Sequence, residues 1–462
     1  MFRAVGVLAL AISMIGSAEL VAGEGVGDGK PEGAKLAAEL PRYRLKVGQQ
    51  LDYETSSSQK YQSGEFKSAA DWSVWVVTAN QDGGWRLLVK KTMWHASGDR
   101  PISKDAGAAQ PELAYFDLTP DGRVVGQSSN NFRIDLRDVF PRLPESEQEL
   151  AAGWADAGAM DERHEYKLVS REKGDVRISD VKTSPMNAIY LVKWQSTYRF
   201  DAERGLIDAA DIVFSQDYGI QGKGTGELKL GEVQTLSREA LAKLAADTDL
   251  YFKAADDYQE LVKQAQQDAE KFETLYAEAK ERLEHAAARL TSAELKSQAE
   301  AMLKSHDAAA KYYLEEAKRR AEVVGKEAPT FETTDLDGAE RSLADYRGKV
   351  VVLDFWYRGC GWCIRAMPQI NQVARAFKDK PVAVIGMNTD RKVEDAKFVI
   401  EKMGLEYANV KAEGLPEKFK VQGFPTLVVV DQKGIIREFH VGYSPTLAAD
   451  LSETINGLLA EK

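Results

Sequence analysis

The chain has 462 residues, 44% of them hydrophobic and 29% charged, with a formal net charge of −11. That length exceeds one ordinary domain and predicts two to four. The acidic balance argues against nucleic-acid binding as the main role, and the apolar fraction is that of a soluble globular protein.

Met1-Phe2-Arg3 starts with positive charge, Ala4–Gly16 is apolar, and small residues follow at Gly16-Ser17-Ala18 and Val21-Ala22-Gly23. This is the layout of a cleavable secretory signal peptide over residues 1–23. A transmembrane helix needs about 20 apolar residues, so the run is too short to read as an anchor. Export to the periplasm or cell envelope is expected, with no transmembrane segment left after cleavage. Residues 24–41, rich in Gly, Ala, Glu and Lys without an apolar period, read as a flexible leader.

Residues 42–236 hold short β-prone runs at Trp72–Thr78, Trp85–Val89, Ala188–Trp194, Ile212–Phe214 and Gly226–Leu230. Turn signals such as Asp82-Gly83-Gly84, Pro120-Asp121-Gly122 and Arg204-Gly205 separate them. The pattern predicts an antiparallel β-rich domain, a sandwich or half-barrel, with Val139–Pro144 as a proline-broken connector. Its tryptophans read as core, and His95 and His164 lie far apart without metal-ligand spacing. No metal or cofactor site is expected anywhere in the chain.

Over 237–324 proline is absent and Ala, Glu, Lys and Gln dominate, all good helix formers. Apolar positions from Leu241 through Thr248, Tyr251, Phe272 and Tyr276 to Leu283 step by three and four. Thr291-Ser-Ala-Glu294 has capping-box spacing for a second helix. The segment predicts an antiparallel helical hairpin, or a coiled coil through which the chain self-associates. His306, on the apolar seam, reads as a packed histidine.

Residues 325–462 alternate strand and helix patterns: strands at Val350–Phe355, Val382–Met387, Pro425–Val430 and Ile435–Val441, and helices at Ile364–Lys378, Val393–Met403 and Leu447–Leu459. The order implies a mixed sheet flanked by helices. Cys360 and Cys363, the only two cysteines, sit where the first strand turns into the first helix. At a helix N-terminus the backbone N–H groups and the dipole favour a thiolate on Cys360. Thiol–disulfide exchange then runs by attack from an exposed Cys360 through a mixed disulfide, which Cys363 resolves. Asp354, on the buried strand, is the candidate acceptor for the proton of Cys363, with a pKa that burial should raise.

These residues carry a resemblance. Asp354-Phe-Trp356, Cys360-Gly-Trp-Cys363, Pro368 and Gly423-Phe-Pro425-Thr426 together resemble the thioredoxin fold. With the Glu327-Ala-Pro329 opening they are similar to the TlpA/ResA-like, AhpC/TSA-related thiol–disulfide oxidoreductases. The resemblance covers the C-terminal domain only. It implies a redox-active disulfide between Cys360 and Cys363, a cis peptide bond before Pro425, and substrate contacts from Trp356, Trp362, Phe424, Pro425 and Thr426. Partners would be protein thiols and disulfides and a second protein that recycles the pair. The chain departs from the family at Trp362, where proline is usual, and at Gly359, where tryptophan is common. Ala366 stands where many members carry Glu, Asp354 where that branch often has Asn, and Gly386 where cytoplasmic thioredoxins carry lysine.

Rival readings of the motif are weaker. A zinc site lacks further cysteines, and His440 stands alone; a structural disulfide across two residues closes almost no loop. A c-type haem site needs His where Ile364 stands. A thiol peroxidase needs a Pro-x-x-x-Thr-x-x-Cys approach that is absent before Cys360. The expected architecture is therefore multidomain: an exported antiparallel β domain, a helical hairpin or coiled coil, and a C-terminal α/β thioredoxin-like domain. The expected function is exchange of disulfides with proteins, as a reductant. The alternatives are a surface interaction or assembly protein whose thioredoxin-like domain senses redox state, or a thiol peroxidase.

Overall fold

The computed structural model describes residues 40–461, apart from 63, 82, 99, 101, 104–110, 130–133, 159–161, 173, 191 and 218–220. The expected signal peptide and most of the leader lie outside the described residues.

The chain first builds β1 (Gln49–Tyr61), β2 (Gly64–Ala79), β3 (Trp85–Ser97), β4 (Glu112–Leu118), β5 (Val124–Gln127), α1 (Glu147–Ala152) and β6 (Trp154–Ala157). It continues through β7 (Arg163–Glu172), β8 (Asp175–Thr183), α2 (Pro185–Tyr190), β9 (Lys193–Asp201), β10 (Leu206–Asp217) and β11 (Gln221–Thr235). The eleven strands form one sheet in the order β5-β4-β3-β2-β1-β11-β10-β9-β8-β7-β6. Two antiparallel meanders, β1–β5 and β6–β11, are joined where β1 pairs with β11, and among the described residues before α3 no strand lies outside this sheet.

The proline-broken segment read as a connector is the centre of this sheet's core. Ile134, Leu136, Val139, Phe140 and Leu143 are all fully buried, in one cluster with Phe116 of β4 and Val176 and Ile178 of β8. Side chains from opposite wings of the sheet meet this segment, so the sheet curves round it as a half-barrel. Pro141 and Pro144 bring no N–H to bury. The carbonyls are met by side chains: Tyr43 Oη donates to Pro141 O at 2.7 Å, Trp154 Nε1 to Arg142 O at 2.8 Å and Tyr198 Oη to Arg137 O at 3.1 Å. The Ala188–Trp194 run also differs from its reading as a strand. Pro185 opens the helical turn of α2, where a missing N–H costs nothing, and the strand starts only at Lys193.

Three helices follow instead of two: α3 (Arg238–Gln267), α4 (Phe272–Ala287) and α5 (Ala293–Val323). The apolar seam is right in register, but the chain folds back in its middle. Asp268 Oδ1 accepts the N–H groups of Glu270 and Lys271 at 3.1 and 3.2 Å, making the turn that ends α3. The capping box is not formed at α5. Asp247 of α3 instead takes the backbone N–H groups of Thr291 and Ser292, at 2.7 and 2.5 Å. The seam is filled within the chain, Tyr251, Ala255, Leu283 and Leu295 packing against Trp75, Leu88 and Leu113 of the sheet. The face that a coiled-coil partner would have covered is thus occupied. His306 is buried, its ring stacked 3.7 Å from that of Tyr276.

After α5 come β12 (Glu332–Thr334), β13 (Glu340–Ser342), β14 (Val350–Trp356), α6 (Gly361–Ala376), β15 (Val382–Asn388) and α7 (Val393–Met403). Then follow β16 (Ala408–Lys411), α8 (Leu415–Lys418), β17 (Thr426–Val430), β18 (Ile436–Val441) and α9 (Leu447–Ala460). The mixed sheet runs β16-β15-β14-β17-β18, with β14 parallel to β15 and antiparallel to β17. This is the thioredoxin-like arrangement. β16 and α8 fall between the helix expected at Val393–Met403 and the strand expected at Pro425–Val430; four-residue elements hold too little periodicity to be seen.

All seven residues of β14 are buried. Val351, Leu353 and Phe355 face Phe331, Val410 and Phe419, whereas Val350 and Val352 face Ala366, Ile370 and Val373 of α6. Strand alternation puts Asp354 on the α6 side, between Val352 and Trp356.

Candidate active site

β14 ends at Trp356, and a three-residue turn delivers Cys360 to the N-cap of α6. The turn is pinned from the β15–α7 connection. Arg358 donates its backbone N–H to Asp390 Oδ2 at 2.9 Å and its guanidinium to Asp395 Oδ1 at 2.6 Å, lying 4.4 Å over the Phe398 ring. Cys360 and Cys363 are joined as a disulfide, with Cα atoms 5.2 Å apart. The Cys363 N–H donates to Cys360 Sγ at 3.1 Å. The first sulfur therefore already receives a helix-terminal N–H, the contact that stabilises a thiolate once the bond opens.

Cys360 is not exposed as expected: it is 5% accessible and Cys363 1%. Part of their apolar surroundings comes from far upstream, since Ile189 of α2 lies in one apolar cluster with both cysteines, Trp356, Ile364 and Met367.

Asp354 is 1% accessible. Burial raises its pKa to about 7, opposed by a hydrogen bond from the Tyr407 hydroxyl to Oδ2 at 3.1 Å. Oδ1 has no hydrogen-bond partner among the described residues. A carboxyl buried on the α6 side of the sheet with a pKa near neutrality is suited to accept a proton and return it.

Of the expected substrate contacts, Trp362 is 50% exposed and stacks on Tyr443 at 5.6 Å. Phe424 is half-buried beside the cysteine cluster and meets Tyr357 edge-on at 5.3 Å. The Phe424–Pro425 bond is cis. Pro425 is buried and its carbonyl accepts the Gly442 N–H at 2.8 Å. Two expectations need correction. Thr426 is wholly buried, its hydroxyl donating to Gly423 O at 2.8 Å, so it holds the loop's shape. Trp356 is wholly buried too, its Nε1 donating to Asn409 Oδ1 at 3.0 Å, and forms the floor of the site.

The AhpC/TSA family model matches residues 324–439. The thiol-disulfide oxidoreductase ResA of Geobacillus kaustophilus is 34% identical over 127 residues, spanning 27% of this chain and 72% of that protein. The chain belongs to this family of thiol-disulfide oxidoreductases. The thioredoxin-like protein YneN of Bacillus subtilis is 30% identical over 122 residues, spanning 26% of this chain and 71% of that protein. The solved thioredoxin domain of a Bacteroides vulgatus thiol-disulfide oxidoreductase is 32% identical, covering 29% of this chain and 99% of that domain with a TM-score of 0.28. The large sheet and the helices up to α5 precede the family match.

Several residues of this oxidoreductase's site carried no signal in the sequence. Asn409 lies on the short β16 edge, which pairs with β15, and Tyr407 stands just before that strand; from there they reach Trp356 and Asp354. Gly386, one of the departures noted in the sequence, sits opposite Asp354 in the β14–β15 register. A Cβ there would come within 1.8 Å of Asn409 Oδ1, because the Trp356–Asn409 bond fills the space. Tyr407 is thus the one group hydrogen-bonded to the Asp354 carboxyl among the described residues.

The oxidoreductase also has a second buried polar cluster, inside the large sheet. Asp135, Glu162 and His164 gather close enough to hold a metal ion. Lys182 Nζ is already among them, 2.9 Å from Glu162, 3.2 Å from Asp138 and 3.9 Å from Asp135. Burial works against charge on His164, but hydrogen bonds with Asp135 and Asp180 raise its pKa to about 9. The cluster is charge-compensated by its own ammonium and imidazolium. No described helix is long and apolar enough to cross a membrane.

Proposed function

We propose that this oxidoreductase reduces disulfides of protein partners outside the cytoplasm. Cys360 is the attacking thiolate: it opens the substrate disulfide, forms a mixed disulfide and releases the first substrate sulfur as a thiol. Cys363 then gives its proton to Asp354, attacks Cys360 Sγ and expels the second substrate sulfur. Two electrons pass to the substrate and the Cys360–Cys363 bond closes. A separate dithiol protein must reopen it.

The observation that carries this reading is the cysteine pair at the start of α6, with the Cys363 N–H on Cys360 Sγ. Support for the proton role of Asp354 is its burial on the α6 side of β14 and its pKa of about 7. Support for export is the N-terminal pattern of a short positive start, an apolar run and small residues.

The test is turnover of insulin disulfides with a recycling dithiol. Cys360→Ser should abolish it, and Cys363→Ser should accumulate mixed disulfides. Retained turnover in Cys360→Ser refutes the mechanism. Equilibration with glutathione or dithiothreitol reads the direction of electron flow: a potential of about −270 mV fits a reductant and one of about −120 mV an oxidant.

A further inference from the structure

α2 belongs by sequence to the large sheet, where it joins β8 to β9, yet it packs against α6 and α7 of the thioredoxin-like fold. Ile189 is 5% exposed in the cluster that contains Cys360, Cys363 and Ile364. The Met186 methyl lies 3.6 Å from where a Cβ on Gly361, the residue between Cys360 and Trp362, would stand. α2 is therefore seated on the first turn of the active-site helix.

That seat is where a substrate has to be. A mixed disulfide places a substrate cysteine and its flanking chain directly on Cys360, and the exchange rate depends on access to the attacked sulfur. With Cys360 at 5% accessibility, that approach is closed. The rim is apolar: Tyr357 and Trp362, 37% and 50% exposed, flank the pair, with Phe424 half-buried beside them. The surface suits a short apolar peptide segment, which is what α2 supplies.

The connection is also built to let go. The β8–β9 ladder ends at the Lys182–Trp194 pair, so α2 can move off without breaking strand pairing. A six-residue helix has little stability of its own and is ordered by what it docks against.

We propose that α2 is an intramolecular occupant of the substrate-docking surface, and that a protein with apolar residues beside its cysteine enters by displacing it. The proposal rests on the reading of Cys360 as the attacking thiol. A substrate that binds only the open form has its affinity reduced by the open fraction, so weakening the seat of α2 should speed protein exchange.

The test uses the full-length chain in two forms, Met186→Asp/Ile189→Asp and a replacement of residues 185–190 by a Gly/Ser hexapeptide. Neither change touches a reacting group. Circular dichroism checks that the sheet is intact. The first readout is alkylation of reduced Cys360 by a polyethylene-glycol maleimide, mapped by mass spectrometry. The second is the rate of insulin reduction. Both should rise by about tenfold or more in both forms, if the open fraction in the parent is about a tenth or less. Unchanged or slower alkylation overturns the proposal. So does faster alkylation with slower insulin reduction, which would make α2 a wall of the docking site instead of its occupant. Alkylation reads the cover over Cys360 whichever way electrons flow, whereas Cys360→Ser turnover tests the exchange mechanism itself.

Discussion

Replacing Asp354 by Asn removes a buried ionisable group and keeps its shape. Burial pushes the carboxyl from its ordinary pKa of 3.8 up to about 7 in the folded chain. A folded pKa above the unfolded one means that the native state holds the proton longer, so stability falls as pH rises from about 4 to about 7 and stays low above that. Each unit is about 1.4 kcal/mol, so ionising Asp354 costs the native state about 4 kcal/mol at pH 8. The asparagine escapes that cost but buries an amide donor where Oδ1 now has no partner, a loss of about 1–3 kcal/mol. The net expectation is a variant more stable by about 1–3 kcal/mol at pH 8 and less stable by a similar amount at pH 4, with the sign changing in between. Hydrogen exchange of the β14 amides in the oxidised full-length chain, at several pH values, measures this locally. A difference between variant and parent that does not change with pH would refute the argument. The same variant should slow resolution of the mixed disulfide more than its formation, because only resolution uses the proton acceptor.

Tyr407→Phe removes the hydrogen bond that holds Asp354 down, so the pKa of Asp354 should move further above 7 and the pH profile of the resolution step should shift to higher pH. Gly386→Ala forces a methyl against Asn409 and should break the Trp356–Asn409 bond, costing at least about 2 kcal/mol in denaturant unfolding of the thioredoxin-like fold. Lys182→Met leaves Asp135, Asp138 and Glu162 without their ammonium and should destabilise the large sheet by about 3–5 kcal/mol, read by thermal unfolding, while Cys360–Cys363 exchange persists.

What could be read in the sequence was what local pattern records. The strands and helices of residues 350–460, β16 and α8 excepted, and the apolar seam from Leu241 to Leu283 follow from periodicities of two and of three to four. The cysteine pair, its place at a helix start and the buried acid before it follow from residue type and spacing. Where the reading failed, a distant side chain had taken over a local role. Asp247, not Glu294, serves the start of α5; Asp268 turns a helix whose seam continues on the far side of the break. Residues 134–143 form a core because the sheet closes round them, a fact that no local pattern records. Asn409 reaches the site through the register of β16, and Tyr407 from the position that precedes the same strand.

The sequence by itself determined the chemistry: two cysteines at the entrance of a helix, with a carboxyl on the strand beneath them, exchange disulfides wherever the fold puts them. Only the tertiary structure decided who reaches them. Ile189 and Met186 stand far from Cys360 along the chain, and burial of apolar surface, which is blind to sequence distance, brings them to the first turn of α6.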